Sequence, residues 1–209
     1  MIDTTPELNR IIHAARTEAT RKVKEKGDNT GVDVQAYQRT VGLAPGSPWC
    51  AAFVAWAVMK GTGLPRAPRW CAGSASGMWG NALARLTAEA GLSNYIAVPG
   101  QETKIKPGWI WVRVKNPEEK ALVSRGARPK GHTGIVVTPF APARTNFTAV
   151  EGNTNAAGSR DGDGVYNKVQ SFSDPRILGY FDPVALTLSY LNEEQLAALL
   201  ARRSGAATA

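Results

Sequence analysis

The apolar positions of this chain change period part-way along it, from helical spacing in the first half to strict alternation in the second. Leu8, Ile11, Ile12 and Ala15 recur at three- and four-residue intervals, which predicts an amphipathic helix over residues 6–26 that docks on a core through one face. Gly27-Asp28-Asn29-Thr30-Gly31 breaks it, and a short helix is expected over 34–41. An apolar helix follows around residues 50–59, and another over 74–90. From Gly108 onward the pattern alternates, and residues 109–114, 133–137, 147–150, 164–169 and 177–181 read as strands separated by Gly, Pro, Asn and Asp. A last helix is capped by Asn192 and runs over 193–203, with 204–209 expected to fray. Helices first and strands afterwards predict an α+β fold, N-terminal helices packed on a mainly antiparallel sheet of about five to six strands. Residues 1–28 then form a docked helix, 29–184 the body, and 185–209 a terminal helix and tail. The length of 209 residues suits one domain, and no shift of composition marks a boundary.

Charge sharpens this picture locally. Between Lys104 and Lys130 lie eight Lys or Arg residues (104, 106, 113, 115, 120, 125, 128, 130) against Glu118 and Glu119, a local excess of six positive charges within a formal net charge of +8. Such a segment attracts anionic polymers through a field that salt screens, or serves only as a solvated loop. Nucleic acid is disfavoured, because the chain carries no helix-turn-helix, zinc-finger or aromatic RNA-binding pattern. The first residues lack the charged and apolar regions of a signal peptide, and the longest apolar run, 50–59, is too short to span a bilayer. Synthesis in the cytoplasm with no membrane anchor is the expectation.

Candidate chemistry begins at Ser47-Pro48-Trp49-Cys50-Ala51-Ala52-Phe53-Val54-Ala55-Trp56. Proline favours the first helical position and serine caps it, so Ser47 is the expected N-cap and Cys50 falls in the first turn. Unpaired backbone N–H groups and the positive end of the helix dipole favour thiolate over thiol there. A nucleophile or a small buried hydrophobe are the two readings of that cysteine. Of the two histidines, His13 lies in the polar N-terminal helix, while His132 opens the β-branched run Gly131-His132-Thr133-Gly134-Ile135-Val136-Val137. The strand over 147–150 ends in Glu151-Gly152-Asn153-Thr154-Asn155, where a carboxylate and an amide share one face if extension continues. Cys, His and an acidic or amide orienter are the parts of a thiol hydrolase.

The motifs P-W-C-A-A-F-V-A-W, G-H-T-G-I-V-V and V-E-G-N-T-N, in that order, resemble the CHAP family of cysteine, histidine-dependent amidohydrolases and peptidases, relatives of papain-like and NlpC/P60 hydrolases. The resemblance spans roughly residues 29–183 and implies a papain-like fold and a peptidoglycan hydrolase. It implies Cys50 as nucleophile, His132 as base, and Glu151 or Asn153 as orienter. Two departures stand out: Pro107-Gly108-Trp109-Ile110-Trp111 replaces the family's usual P-G-D-I-V, and the basic segment follows it as an insertion. In similar enzymes a polar side chain upstream of the nucleophile assists the oxyanion, which nominates Tyr37, otherwise a packed helix tyrosine. Trp49 and Trp70 are core residues that edge the substrate groove. The implied partner is bacterial peptidoglycan, reached through a phage lysis programme or a secretion apparatus, with an immunity or inhibitor protein as a further partner. Thiol chemistry of this kind requires no cofactor.

Cys71 reads as a buried structural thiol rather than a disulfide partner of Cys50. Asp161-Gly162-Asp163-Gly164 reads as a hairpin turn, since the twelfth position of a calcium loop would be Phe172. Two cysteines and two histidines without close paired spacing disfavour zinc. Transpeptidase or deconjugating activity, a catalytically silent wall-binding module and a basic nucleic-acid-binding module are the remaining alternatives.

Overall fold

Main-chain pairing, rather than helix propensity, sets where the first helix stops. The computed structural model describes residues 3–88, 91–138, 140–155, 162–192, 194, 196–197, 199 and 201. Helix α1 spans Thr5–Thr20 and buries Leu8, Ile11, Ile12 and Ala15, the predicted stripe. It ends six residues short of the predicted limit because the Val23 carbonyl accepts from Val165 N–H at 3.0 Å and Glu25 N–H donates to the Asp163 carbonyl at 2.8 Å. A residue paired with a strand cannot continue a helix. Helix α2 (Val32–Thr40) and helix α3 (Cys50–Thr62) follow, and α3 is buried on nearly every side. Helix α4 covers Ala75–Ala88.

The strands are β1 (Ile96–Ala97), β2 (Ile110–Val114), β3 (Gly131–Val136), β4 (Asn146–Thr154), β5 (Gly164–Ser171) and β6 (Ile177–Phe181). They form one antiparallel sheet in the order β1-β6-β2-β3-β4-β5. Helices α1, α3 and α4 pack on one face of it. A Cβ on Gly152 would stand 2.7 Å from both Phe53 and Trp49, so only glycine lets α3 approach the sheet this closely beside Cys50.

The opposite face is concave. Arg113 of β2 and Gln170 of β5, separated in sheet order by two strands, come within 3.5 Å of each other. A flat sheet would hold them about 14 Å apart at the usual strand spacing. Inside the curve Trp111, Phe147 and Tyr180 meet edge-on, with centroids 5.9 Å and 5.6 Å apart. Trp49, Trp70, Trp79, Trp109 and Trp111 are all buried.

Among the elements that escaped the periodicity are β1 and helix α6 (Pro183–Leu188). Asp182 caps α6 by accepting from Val184 and Ala185 N–H, and it also accepts from Thr4 Oγ1 at 2.8 Å, tying both ends of the chain together. The segment limit expected at 184/185 therefore falls inside a helix, and α1, the body and α6 share one hydrophobic core. Residues 194, 196, 197, 199 and 201 of the predicted last helix are helical. Its other positions after Asn192, the tail at 204–209 and Asp161 of the predicted hairpin turn lie outside the described residues. Within the basic segment, α5 (Lys120–Ser124) forms a short helix, and Arg113 belongs to the polar interior rather than to the surface patch. Among the described residues no helix is long and apolar enough to cross a membrane.

Candidate active site

Cys50 is the first residue of α3, and Trp49 is its N-cap. The predicted cap at Ser47 does not form, and the Ser47 carbonyl accepts instead from Gln38 Nε2 at 2.8 Å. An N-cap carbonyl must instead accept the first intrahelical bond, and here the Trp49 carbonyl does so from Phe53 N–H at 2.9 Å. Shifting the start by two residues leaves Cys50 at the open end of the helix, where backbone N–H groups have no partner within the helix. It lines a cleft with His132, Asn153, Lys130, Leu43, Ser47, Pro48 and the chain at 73–75. That cleft is the only place among the described residues where the two predicted catalytic side chains meet.

His132 stands at the start of β3 and interacts with both Glu151 and Cys50. Nε2 faces Glu151 Oε2 at 2.9 Å, and the ring lines the same cleft as Cys50, whose side chain acts on the imidazole. Glu151 has a side chain only 1% exposed. It reaches the imidazole by crossing Gly134, where a Cβ would lie 2.7 Å from Glu151 Cγ and 2.8 Å from Trp111 Nε1. The second glycine of the G-H-T-G motif is thus the floor of the Glu151–His132 contact. Burial opposes charge on His132, but its hydrogen bonding and electrostatic attraction to Cys50 and Glu151 outweigh it and push the imidazole up to about 9. At neutral pH this ring carries its proton.

Asn153 does not share the Glu151 role. The strand does not continue straight: β4 shifts register between Glu151 and Thr154, and Asn153 has φ +53°. With its amide oriented by the hydrogen-bond pattern, Asn153 accepts from Trp49 N–H at 3.1 Å and donates to the Gly162 carbonyl and Asn29 Oδ1, both at 3.1 Å. It therefore pins the start of α3 and stands in the cleft wall.

Three other expectations are corrected. Tyr37 is buried between Trp49, Phe53 and Trp56, and its hydroxyl is donated to Glu18, so it does not line the cleft and cannot meet an oxyanion there. Trp49 is fully buried with its indole N–H directed to Glu25 at 3.3 Å, and Trp70 donates to Thr187 at 2.9 Å and packs edge-on against Phe181. Neither ring borders the groove. Cys71, expected to be buried, is a half-buried free thiol, whereas the free thiol of Cys50 is buried; desolvation pushes Cys71 up, keeping it protonated at neutral pH.

Sequence reasoning missed Gln170, whose Nε2 donates to Glu151 Oε1 at 2.6 Å. Nothing in the β5 pattern separates it from a surface glutamine; only sheet curvature brings it to Glu151.

The elevated imidazole has a consequence for stability. Its folded value of about 9 lies above the ordinary 6.5, so the bound proton stabilises the fold fully below about 6.5, and this contribution is lost as pH rises through about 9. Thermal unfolding across that window should show the wild type losing stability relative to His132→Gln. A constant difference between the two proteins from pH 6 to about 10 would contradict the pairing of His132 with Cys50 and Glu151.

Among the described residues no three His, Cys, Asp or Glu side chains gather as a metal site. No family model matches the chain, and no curated protein and no solved structure matches it either.

Proposed function

We propose that this protein is a cysteine-dependent amide hydrolase that cuts peptide in bacterial cell wall, with the papain-like, NlpC/P60-type arrangement that its motifs resemble. The observation that carries the reading is His132 lining one cleft with Cys50 at a helix start while its Nε2 meets buried Glu151. In this reaction the Cys50 thiolate attacks the amide carbonyl carbon, and the oxyanion accepts from the Cys50 backbone N–H. A donor of this kind is worth roughly 3 to 4 kcal/mol when removed. His132 gives its proton to the leaving amine as the C–N bond breaks. Water then attacks the thioester, losing a proton to His132, and the acid leaves with Cys50 regenerated as thiolate. Glu151 holds the imidazole in orientation and stabilises its charge throughout.

The substrate class is supported by the cleft and its surroundings. Lys130 is the one charged side chain that lines the cleft beside the catalytic pair. It is exposed, at the end of a segment rich in Lys and Arg, so the cleft mouth favours substrates with carboxylates near the scissile bond, as wall peptides have. Digestion of purified peptidoglycan, with the new ends identified by mass spectrometry, tests this. New amino or carboxyl termini that disappear with Cys50→Ala are expected. Intact wall in the presence of a folded protein with reactive Cys50 would overturn the substrate assignment.

A further inference from the structure

Glu151 is held from behind as well as from the front. Its Oε2 meets His132, while its Oε1 accepts from Gln170 Nε2 at 2.6 Å. The other end of the same amide, Gln170 Oε1, faces Arg113 Nη1 at 3.5 Å. Arg113 in turn donates to Asp174 Oδ2 at 3.2 Å, and Asp174 is clamped by Arg176 through Nη2 at 2.7 Å and Nε at 2.9 Å. We propose that Gln170 is a positioning residue that presents Glu151 to His132 and keeps the neighbouring Arg113 guanidinium from capturing that carboxylate.

The physical case rests on competition. Arg113 is opposite His132 in the β2–β3 ladder, and its side chain is 17% exposed, so it is a mostly buried cation beside a buried anion. A guanidinium and a carboxylate in such a setting form a bidentate pair by preference. If they did so here, Glu151 would give up part of its charge to Arg113 and hold the His132 proton less strongly. Two features prevent this. Asp174 occupies the guanidinium; burial acts to raise that carboxyl, but hydrogen bonds from Arg176 and the charges of Arg176 and Arg113 bring it down to about 2. Gln170 stands in the gap. A neutral amide can donate to the carboxylate and accept from the guanidinium together, and neither a carboxylate nor a cation at 170 has both faculties.

The ionisable groups around the His132–Glu151 pair are few. Cys50 faces it from α3, Arg113 from β2 with Asp174 and Arg176 behind, and Lys130 from the cleft mouth. Tyr166, opposite Glu151 on β5, is engaged with Asp163 and Lys24. Removal of Gln170 thus takes away the amide that stands between Glu151 and Arg113, a cation whose charge already acts on that carboxylate.

This proposal rests on the reading of Cys50 and His132 as a pair, and its test is separable from that reading. The chain has two histidines, so NMR titration of the labelled imidazoles of the whole protein, with His13→Asn for assignment, follows His132 directly. The wild-type midpoint is expected near 9. Gln170→Ala should lower it by about one pH unit or more, the size of effect a close opposite charge has on a carboxylate. Adding Arg113→Met to Gln170→Ala should restore it, whereas a merely structural role for Gln170 gives no such rescue. Asp174→Asn, which leaves Gln170 in place and frees Arg113, should lower the midpoint too, and it serves if Gln170→Ala does not fold. A high wild-type midpoint that Gln170→Ala and Asp174→Asn leave unmoved, or a fall that Arg113→Met does not reverse, overturns the role of Gln170. An ordinary wild-type midpoint near 6.5 instead overturns the catalytic pair itself.

Discussion

Replacing Cys50 with Ala or Ser should remove wall hydrolysis to background, a loss on the order of 10⁴-fold or more, while Cys71→Ser keeps most of the activity. The two thiols differ in setting rather than in accessibility alone. Cys50 opens α3, has the His132 imidazole as hydrogen-bond partner and lines the cleft. Cys71 is outside the cleft, free, and pushed up by burial. Fold should be retained in both variants, because neither position fills a large volume and neither thiol is in a disulfide. Single-turnover rates on purified wall fragments give the comparison. Iodoacetamide labelling at neutral pH gives it independently of substrate, with mass spectrometry expected to find the adduct on Cys50 alone. Equal loss from both folded variants, or labelling at Cys71 instead, would remove Cys50 from the role of sole nucleophile.

The residues that were legible in the sequence are those whose role is stated by local context. Leu8, Ile11, Ile12 and Ala15 declare a helix face, and the structure buries all four. Cys50 declares itself through the proline just before an apolar run, and His132 and Glu151 through their positions at the edges of β-branched runs. Even the glycines of the two strand motifs have a reason there: Gly134 makes room for Glu151 and Gly152 makes room for Phe53 and Trp49.

What was not legible depends on groups brought together by the fold. Ser47 has every local mark of a cap, yet Gln38 takes its carbonyl from nine positions upstream. Tyr37 sits at a plausible distance before Cys50 but spends its hydroxyl on Glu18, nineteen residues away. The early stop of α1 reflects the bridge between Lys24 and Gly164, and β1, only two residues long, offers no period to read. Arg113 looked like one more charge in a basic segment; the curvature of the sheet turns it inward to Asp174. Apart from β1, each miss is a contact between residues apart in the sequence that overrides a local signal.

That lesson decides between the two candidate orienters, Glu151 and Asn153. Glu151→Gln keeps a side chain of the same shape that can still accept from His132 Nε2, but it removes the charge that stabilises the imidazolium. The expected result is a large fall in single-turnover rate, of about 10² to 10⁴-fold, with little change in thermal stability and with the His132 midpoint falling from about 9. Asn153→Ala acts through a different route. It strips the acceptor from Trp49 N–H and places a non-glycine, non-asparagine residue at φ +53°. A buried N–H left without its acceptor costs about 1 to 3 kcal/mol, and the left-handed backbone adds about 1 more for alanine. Stability should therefore drop clearly, and the activity that remains should keep the wild-type pH profile, because the His132–Glu151 contact is untouched. Asn153→Gly separates the two costs, since glycine accepts the backbone angle and loses only the hydrogen bonds. If instead Asn153→Ala moves the His132 midpoint while Glu151→Gln leaves rate and midpoint alone, the orienting group is the amide, and the carboxylate behind the imidazole is a structural partner of Gln170.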